Sequence, residues 1–225
     1  MPESVGANLQ AVRQTIAHSA ERSGRDPEEI VLVAVTKTLP VERIREALAV
    51  GLRILGENRV QEALPKIEEI GPANVEWHVI GHLQTNKVKF IEGRFRMVQS
   101  LDGVGLVEAL DRRLQSALDV LVEVNVAQEP QKTGVLPADL GAVAHAVSAA
   151  QHLRLRGLMT VAPLVPDPEA VRPVFRQLRS LRDKTSQQLG VTLPVLSMGM
   201  TDDYAIAVEE GATMLRLGRA LFGPR

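Results

Sequence analysis

Cysteine is missing from this chain altogether, and aromatic side chains make up only 3% of its 225 residues. The first absence removes disulfide scaffolds, thiolate metal sites and cysteine nucleophiles together. The second means that packing must rest on Val, Leu, Ala and Ile. No apolar run approaches the ~20 residues of a membrane span, and the opening MPESVGANLQ lacks the basic-then-apolar order of a leader. Nor is there a charge excess: 26 basic and 27 acidic residues are interspersed for a net charge of −1, so no basic stripe marks a nucleic-acid partner. Neither a membrane nor a nucleic acid is expected as a partner, and a cytoplasmic setting is.

What is present is an ordinary globular composition, 45% apolar and 24% charged, over a length that suits a single α/β domain spanning residues 1–225. The most informative stretch is residues 30–40, IVLVAVTKTLP. Its six leading apolar residues read as a strand buried on both faces, the habit of parallel sheets with helices outside. Lys37 follows at the strand's end and has two readings. Either the strand is over and the ammonium reaches water, or a partly desolvated amine is held ready to form a Schiff base.

Short apolar strands alternate with longer amphipathic stretches along the rest of the chain. The pattern predicts eight strands, at residues 31–35, 53–55, 76–80, 97–100, 120–126, 153–159, 194–197 and 214–217. Seven helices fall between them, at 41–50, 59–70, 85–91, 104–117, 137–150, 168–190 and 202–210. Another helix precedes the first strand at 5–22, with Ser4 as N-cap and Gly24 as stop. The expected fold is an α/β class (β/α)8 TIM barrel. Only a short tail, 219–225, follows the last strand, so the N-terminal helix is expected to fill the place of the missing eighth helix. An open doubly wound sheet is the alternative, but TKTLP follows the first strand where that fold carries G-x-G-x-x-G.

Barrels collect function where strands end. Asn58, after the second strand, could donate to a ligand oxygen or, more commonly, cap the next helix. His78 and His82 are four apart, a metal-like spacing on a helix, but here they bracket a strand end with no obvious third ligand, so His82 reads as lining the mouth. Lys132 and Thr133 read as solvated loop residues, and Met159 as core. The segment Ser197, Met198, Gly199, Met200, Thr201, Asp202, Asp203 brings hydroxyls and backbone N–H groups together after the seventh strand. Gly218 adds a second glycine turn beside Arg216 after the eighth. Both loops lie where barrels often hold phosphate, although Ser197 and Thr201 would equally serve as caps. A lysine facing a phosphate loop suits an aldehyde that carries a phosphate, and pyridoxal 5′-phosphate is the common cofactor of that description, with Arg216 near its pyridine nitrogen. A guanidinium there would leave the nitrogen unprotonated and weaken the ring as an electron sink.

The segments VAVTKTLP, LGENRVQEALPK, WHVIGHLQTNK, GLMTVAP and SMGMTDDYAIAVEEGATMLRLGRALFG resemble the signature segments of the YggS/PROSC family of pyridoxal phosphate homeostasis proteins. The resemblance implies a fold-type III barrel similar to the N-terminal domain of alanine racemases, with the cofactor as an internal aldimine on Lys37. It also implies Arg216 at the pyridine nitrogen, Ser197, Gly199, Met200, Thr201 and Gly218 at the phosphate, and Asn58 and His82 at the mouth. The family's role is that of a regulator or carrier of the cofactor without established catalysis, with cofactor-dependent apo-enzymes as transient clients; a monomer is expected because the racemase's dimer-building domain is missing. A racemase or lyase of small amino acids is the alternative, but its second acid/base group is expected from a tyrosine, and Tyr204 falls in the helix after the phosphate loop. Two positions depart from the family pattern. Leu39 removes a second lysine, and Arg219 stands where a small hydroxyl residue is frequent.

Overall fold

Eight short strands close on themselves in the computed structural model, which describes residues 4–71 and 75–224. They are β1 (Val31–Val35), β2 (Ile54–Glu57), β3 (Glu76–Val79), β4 (Met97–Leu101), β5 (Leu118–Glu123), β6 (Leu153–Met159), β7 (Val195–Ser197) and β8 (Met214–Leu217). Every strand runs parallel to its sequence neighbours, and β8 returns to β1 with Val33 opposite Arg216 and Ala34 opposite Leu217. That last pairing is the closure of a barrel and rules out the open sheet. The outer layer is α1 (Val5–Arg22), α2 (Val41–Ala49), α3 (Val60–Ile70), α4 (Val104–Arg113), α5 (Leu140–Ala149), α6 (Arg172–Leu189), α7 (Tyr204–Glu209) and α8 (Arg219–Phe222). None of the described helices is long and apolar enough to cross a membrane.

Two apolar layers hold this arrangement. Inside the barrel, Val33, Met97, Leu121, Met159 and Met214 pack together without an aromatic ring. Outside it, the other faces of the strands meet helix residues such as Ile44, Leu110, Phe175 and Leu178, all fully buried. Each such side chain contributes about 1.5–3 kcal/mol of transfer free energy. The scarcity of aromatics is thus met by aliphatic chains and methionine, whose flexibility suits an irregular barrel interior.

The N-terminal helix closes the seam as expected. The Ser4 side chain accepts from the Ala7 N–H at its start, and Val5, Leu9, Val12 and Ile16 are buried along one face. Asn8 donates to the Leu221 carbonyl at 3.0 Å, and Arg25 donates to the carbonyls of Val208 and Ala212 at 2.8 and 2.9 Å. These bonds dock α1 on α7 and α8.

Several boundaries differ from the sequence reading. Residues 85–91 form a 3₁₀ segment, Thr85–Phe90, because two of its residues are β-branched, no side chain caps it, and Val88 alone is buried. The helix expected to reach 117 stops at Arg113, where Glu92 accepts from the Gln115 N–H and the Ser116 hydroxyl and draws them off the helix. The expected tail forms the single turn α8, although Arg225, like residues 1–3, lies outside the described residues. Val31 and Leu32 are only half-buried, so β1 is enclosed on both faces from Val33 onward.

Candidate functional site

The C-terminal ends of the strands form a polar mouth, and two of its loops lie beyond β7 and β8. Gly199 turns the chain with φ +97°, and a Cβ there would stand 2.7 Å from the Ala207 Cβ and 2.8 Å from the Leu215 Cδ2. Only glycine fits such a site without displacement. The turn brings Thr201 against the start of α8, where its hydroxyl accepts from the Ala220 N–H at 3.1 Å. Arg219 and Asp202 make a second link between the two loops, at 2.5 Å. Between these links, among the described residues, the N–H groups of Thr201, Asp202, Gly218 and Arg219 donate to no protein acceptor. Unpaired backbone donors gathered at a turn make a concave site for an anion.

One donor of this loop is already engaged. The Met200 N–H donates to Asp203 Oδ1 at 2.6 Å. Asp203 is buried, which raises its carboxyl above the usual range against the opposing pull of that N–H and of the Arg216 charge.

Beneath the loops lies Arg216, on β8 and pointing into the barrel. It donates to the Ser197 hydroxyl at 2.7 Å and to the Thr160 carbonyl at 2.8 Å. Ser197 in turn donates to Gln99 Oε1 at 2.6 Å, and the Gln99 amide nitrogen lies 2.9 Å from His78 Nδ1. Burial pulls the guanidinium down to about 10, with Glu123 and Asp203 holding it up. It remains a cation at neutral pH. The Ser197 hydroxyl is therefore spent on Arg216 and Gln99, below the N–H groups of the loop.

On the opposite flank of the β8–β1 seam, Lys37 follows β1 in a tight turn closed by the Leu39 N–H on the Thr36 carbonyl at 3.1 Å. Thr38 in that turn has φ +61°, a left-handed conformation that a β-branched residue adopts only under constraint. Lys37 is half-buried, and its amine makes no hydrogen bond or ion pair with a described residue. Next to it, Asn58 does not cap α3: the N-cap is Arg59, and no side chain bonds there. Its backbone packs under Gly81, where a Cβ would stand 2.5 Å from the Asn58 carbonyl oxygen. Asn58 and His82 share a 350 Å³ cleft. His82 itself is half exposed and bonds Asp102 through Nδ1 at 2.7 Å. The two histidines thus part, His78 inward and His82 outward, and do not form a pair.

Three parts of the mouth escaped the sequence reading. Glu123, at the end of β5, sits across the barrel from β1 and accepts from the Thr133 hydroxyl at 2.8 Å. Burial raises its carboxyl, while Thr133 and Arg216 oppose the rise. Lys132 donates to the Val161 carbonyl at 3.3 Å and pairs with Glu129, so it is more than a solvated loop residue, whereas Thr133 is exposed as expected, although its hydroxyl reaches Glu123. The third is the buried group of Thr36, Glu57 and Lys66 under Lys37. No motif spacing announces any of these, because they meet only through the fold. Tyr204 packs half-buried against the outer core.

Comparison with known proteins follows the same lines. The model for "Alanine racemase, N-terminal domain" matches residues 7–225. The "Pyridoxal phosphate homeostasis protein" of Aquifex aeolicus is 44% identical over 220 residues, covering 96% of both chains, and that of Pseudomonas aeruginosa is 40% identical over 99% of this chain and 96% of its own. Among solved structures, PipY of Synechococcus elongatus with PLP bound has a TM-score of 0.81 at 37% identity, covering 92% of this chain and all of that one. Alanine racemase of Corynebacterium glutamicum, at 18% identity and a TM-score of 0.73, shares the fold; 61% of its chain is covered.

Proposed function

Since the chain belongs to the pyridoxal phosphate homeostasis proteins, within the alanine racemase N-terminal domain family, we propose that it binds pyridoxal 5′-phosphate and holds it as a carrier or regulator of the free cofactor. The observation that carries this reading is the pairing of two features across the β8–β1 seam. One is the nest of N–H groups from Thr201, Asp202, Gly218 and Arg219, which suits a phosphate monoester. The other is the unpartnered amine of Lys37, which suits an aldehyde. Arg216 supplies a buried, donor-only cation below them.

When bound, the cofactor would supply an aldehyde, and the Lys37 amine is the group that would hold it at that carbon. The protein's own residues do the rest. Gly199 and Gly218 let the two loops approach the phosphate. Ser197 holds Arg216, the guanidinium that would face the cofactor's pyridine nitrogen and that gives up no proton readily. Met200 and Thr201 shape the loop through Asp203 and the N-terminus of α8. Asn58 and His82 line the open side. We take the protein to act as a single-domain monomer in the cytoplasm, with cofactor-dependent apo-enzymes as clients.

Borohydride reduction of the cofactor-saturated protein, followed by peptide mapping, tests this reading. A reduced adduct on Lys37 is expected. A protein that stays colourless and unmodified with excess cofactor would overturn it. Glu123 favours a second reading, weak racemase-like chemistry, because its buried carboxyl lies opposite β1. Exchange of an amino acid's α-proton in deuterated water at turnover rates would establish that reading, and its absence would leave the carrier.

A further inference from the structure

The turn that carries Lys37 is held from beneath by a buried ion pair that binding itself does not use. Lys66, on α3, reaches to within 2.8 Å of the Thr36 carbonyl and 2.7 Å of Glu57 Oε1. The Thr36 hydroxyl donates to that same carboxylate oxygen at 2.6 Å. Glu57 is wholly buried, and the Lys66 side chain is 12% exposed. A carbonyl oxygen has two lone pairs. On Thr36, one takes the Leu39 N–H that closes the turn, and the other takes the Lys66 ammonium.

Two features show that this pair does more than fill space. Thr38 sits at φ +61° inside the turn. A β-branched residue stays there only when its surroundings over-determine the backbone, and Lys66 fixes the carbonyl from which the turn springs. The second feature is Glu57 Oε2, which is buried and has no hydrogen-bond partner among the described residues. A half-satisfied buried carboxylate is poor stabilisation, and well-packed neutral side chains of similar size commonly do as well or better. Retaining the charge is therefore explained by what it orients.

We infer that Lys66 and Glu57 are positioning residues for Lys37, clamping the 36–39 turn so that the amine meets the aldehyde in a reactive pose. The inference rests on the reading of Lys37 as the covalent anchor. It makes a sharp demand: the clamp acts on bond formation and leaves phosphate recognition alone, because its contacts lie on β1 and β2 and none reaches the β7 and β8 loops.

The test compares two ligands. Pyridoxal 5′-phosphate can bond to the amine, whereas pyridoxine 5′-phosphate has the same ring and phosphate with an alcohol in place of the aldehyde. Lys66→Met alone leaves Glu57 uncompensated and can unfold the chain. The double variant Glu57→Gln with Lys66→Met avoids this, keeping an acceptor for the Thr36 hydroxyl while removing the ammonium. In the double variant the rate of adduct formation on Lys37, read by absorbance and by borohydride trapping, is expected to fall about tenfold or more, the worth of a charge-assisted hydrogen bond. Affinity for pyridoxine 5′-phosphate should stay within about threefold of wild type. Equal losses for both ligands would mean a merely structural pair and overturn the inference, as would no loss for either. If the wild-type protein itself traps nothing, the function proposed above fails and the inference fails with it, an outcome distinct from the other two.

Discussion

The two edges of the mouth that meet at the β8–β1 seam hold their parts by different means. Beyond β7 and β8, recognition is written in the backbone: glycine conformation, N–H groups without acceptors, and two loops pinned by Thr201 to Ala220 and by Arg219 to Asp202. Beyond β1 and β2, it is written in side chains: an amine without a partner above a buried group of Thr36, Glu57 and Lys66. Backbone donors recognise negative charge and are indifferent to an aldehyde. An amine recognises the aldehyde and contributes little to holding a phosphate. On the proposed reading, holding and attaching are therefore separable functions of one site.

The strongest break of this pairing is Lys37→Ala. It is expected to abolish the reducible adduct entirely while leaving pyridoxine 5′-phosphate affinity within about threefold, since no N–H of the other edge depends on Lys37. Gly199→Ala should do the reverse. A Cβ 2.7 Å from Ala207 at φ +97° forces the loop to move, at about 1–3 kcal/mol of stability. Affinity for both phosphorylated ligands should drop about tenfold or more together, as measured by titration beside urea unfolding. A Gly199→Ala protein that loses the adduct yet keeps its pyridoxine 5′-phosphate affinity would show that the edges had been divided wrongly.

The same contrast explains what could be read from the chain before its fold. The strands, the closure and the glycine turns were legible because each is a local pattern: an apolar run, a helical repeat, a Gly-x-x beside hydroxyls. That the Ser197 hydroxyl bonds Arg216 and Gln99 is not legible locally, because both partners come from other strands. Of the two readings of Asn58, ligand donor or cap, the cap falls because the chain enters α3 one residue later. Glu57 and Lys66 lie in the segment LGENRVQEALPK, where neither residue type nor spacing marks them as partners. A buried ion pair has no sequence signature when its third member, Thr36, comes from another strand.

Asp203 sharpens the β7 and β8 edge from the side of charge. Its carboxyl is raised by burial, so between its ordinary value of 3.8 and the raised folded value the native state binds the extra proton. Stability from this group is consequently highest at low pH and declines as pH rises through that window. Asp203→Asn keeps an oxygen for the Met200 N–H and removes the charge. Relative to wild type, the variant should gain stability in urea as pH is raised from about 4 to 7. A phosphate dianion should also bind it a few-fold, about two- to fivefold, more tightly, because a like charge has left the nest. Weaker binding would mean that the carboxylate is needed to hold the loop or to neutralise Arg216.

The smallest effect is expected at Arg219. Its guanidinium and the Asp202 carboxylate are each more than half exposed, and such a pair is worth about 0.2–1 kcal/mol at most. Arg219→Ala should therefore shift the unfolding midpoint barely. Its second consequence belongs to the ligand: freed from Asp202, the guanidinium can turn to a phosphate held by the N–H group of the same residue. If it does so, the variant binds pyridoxine 5′-phosphate about two- to threefold less tightly at low salt, and the difference closes as ionic strength rises above about 0.15 M and the Debye length shortens. A difference that survives high salt would assign Arg219 to the buried recognition of the β7 and β8 edge, and no difference at any salt would confine it to tying the two loops together.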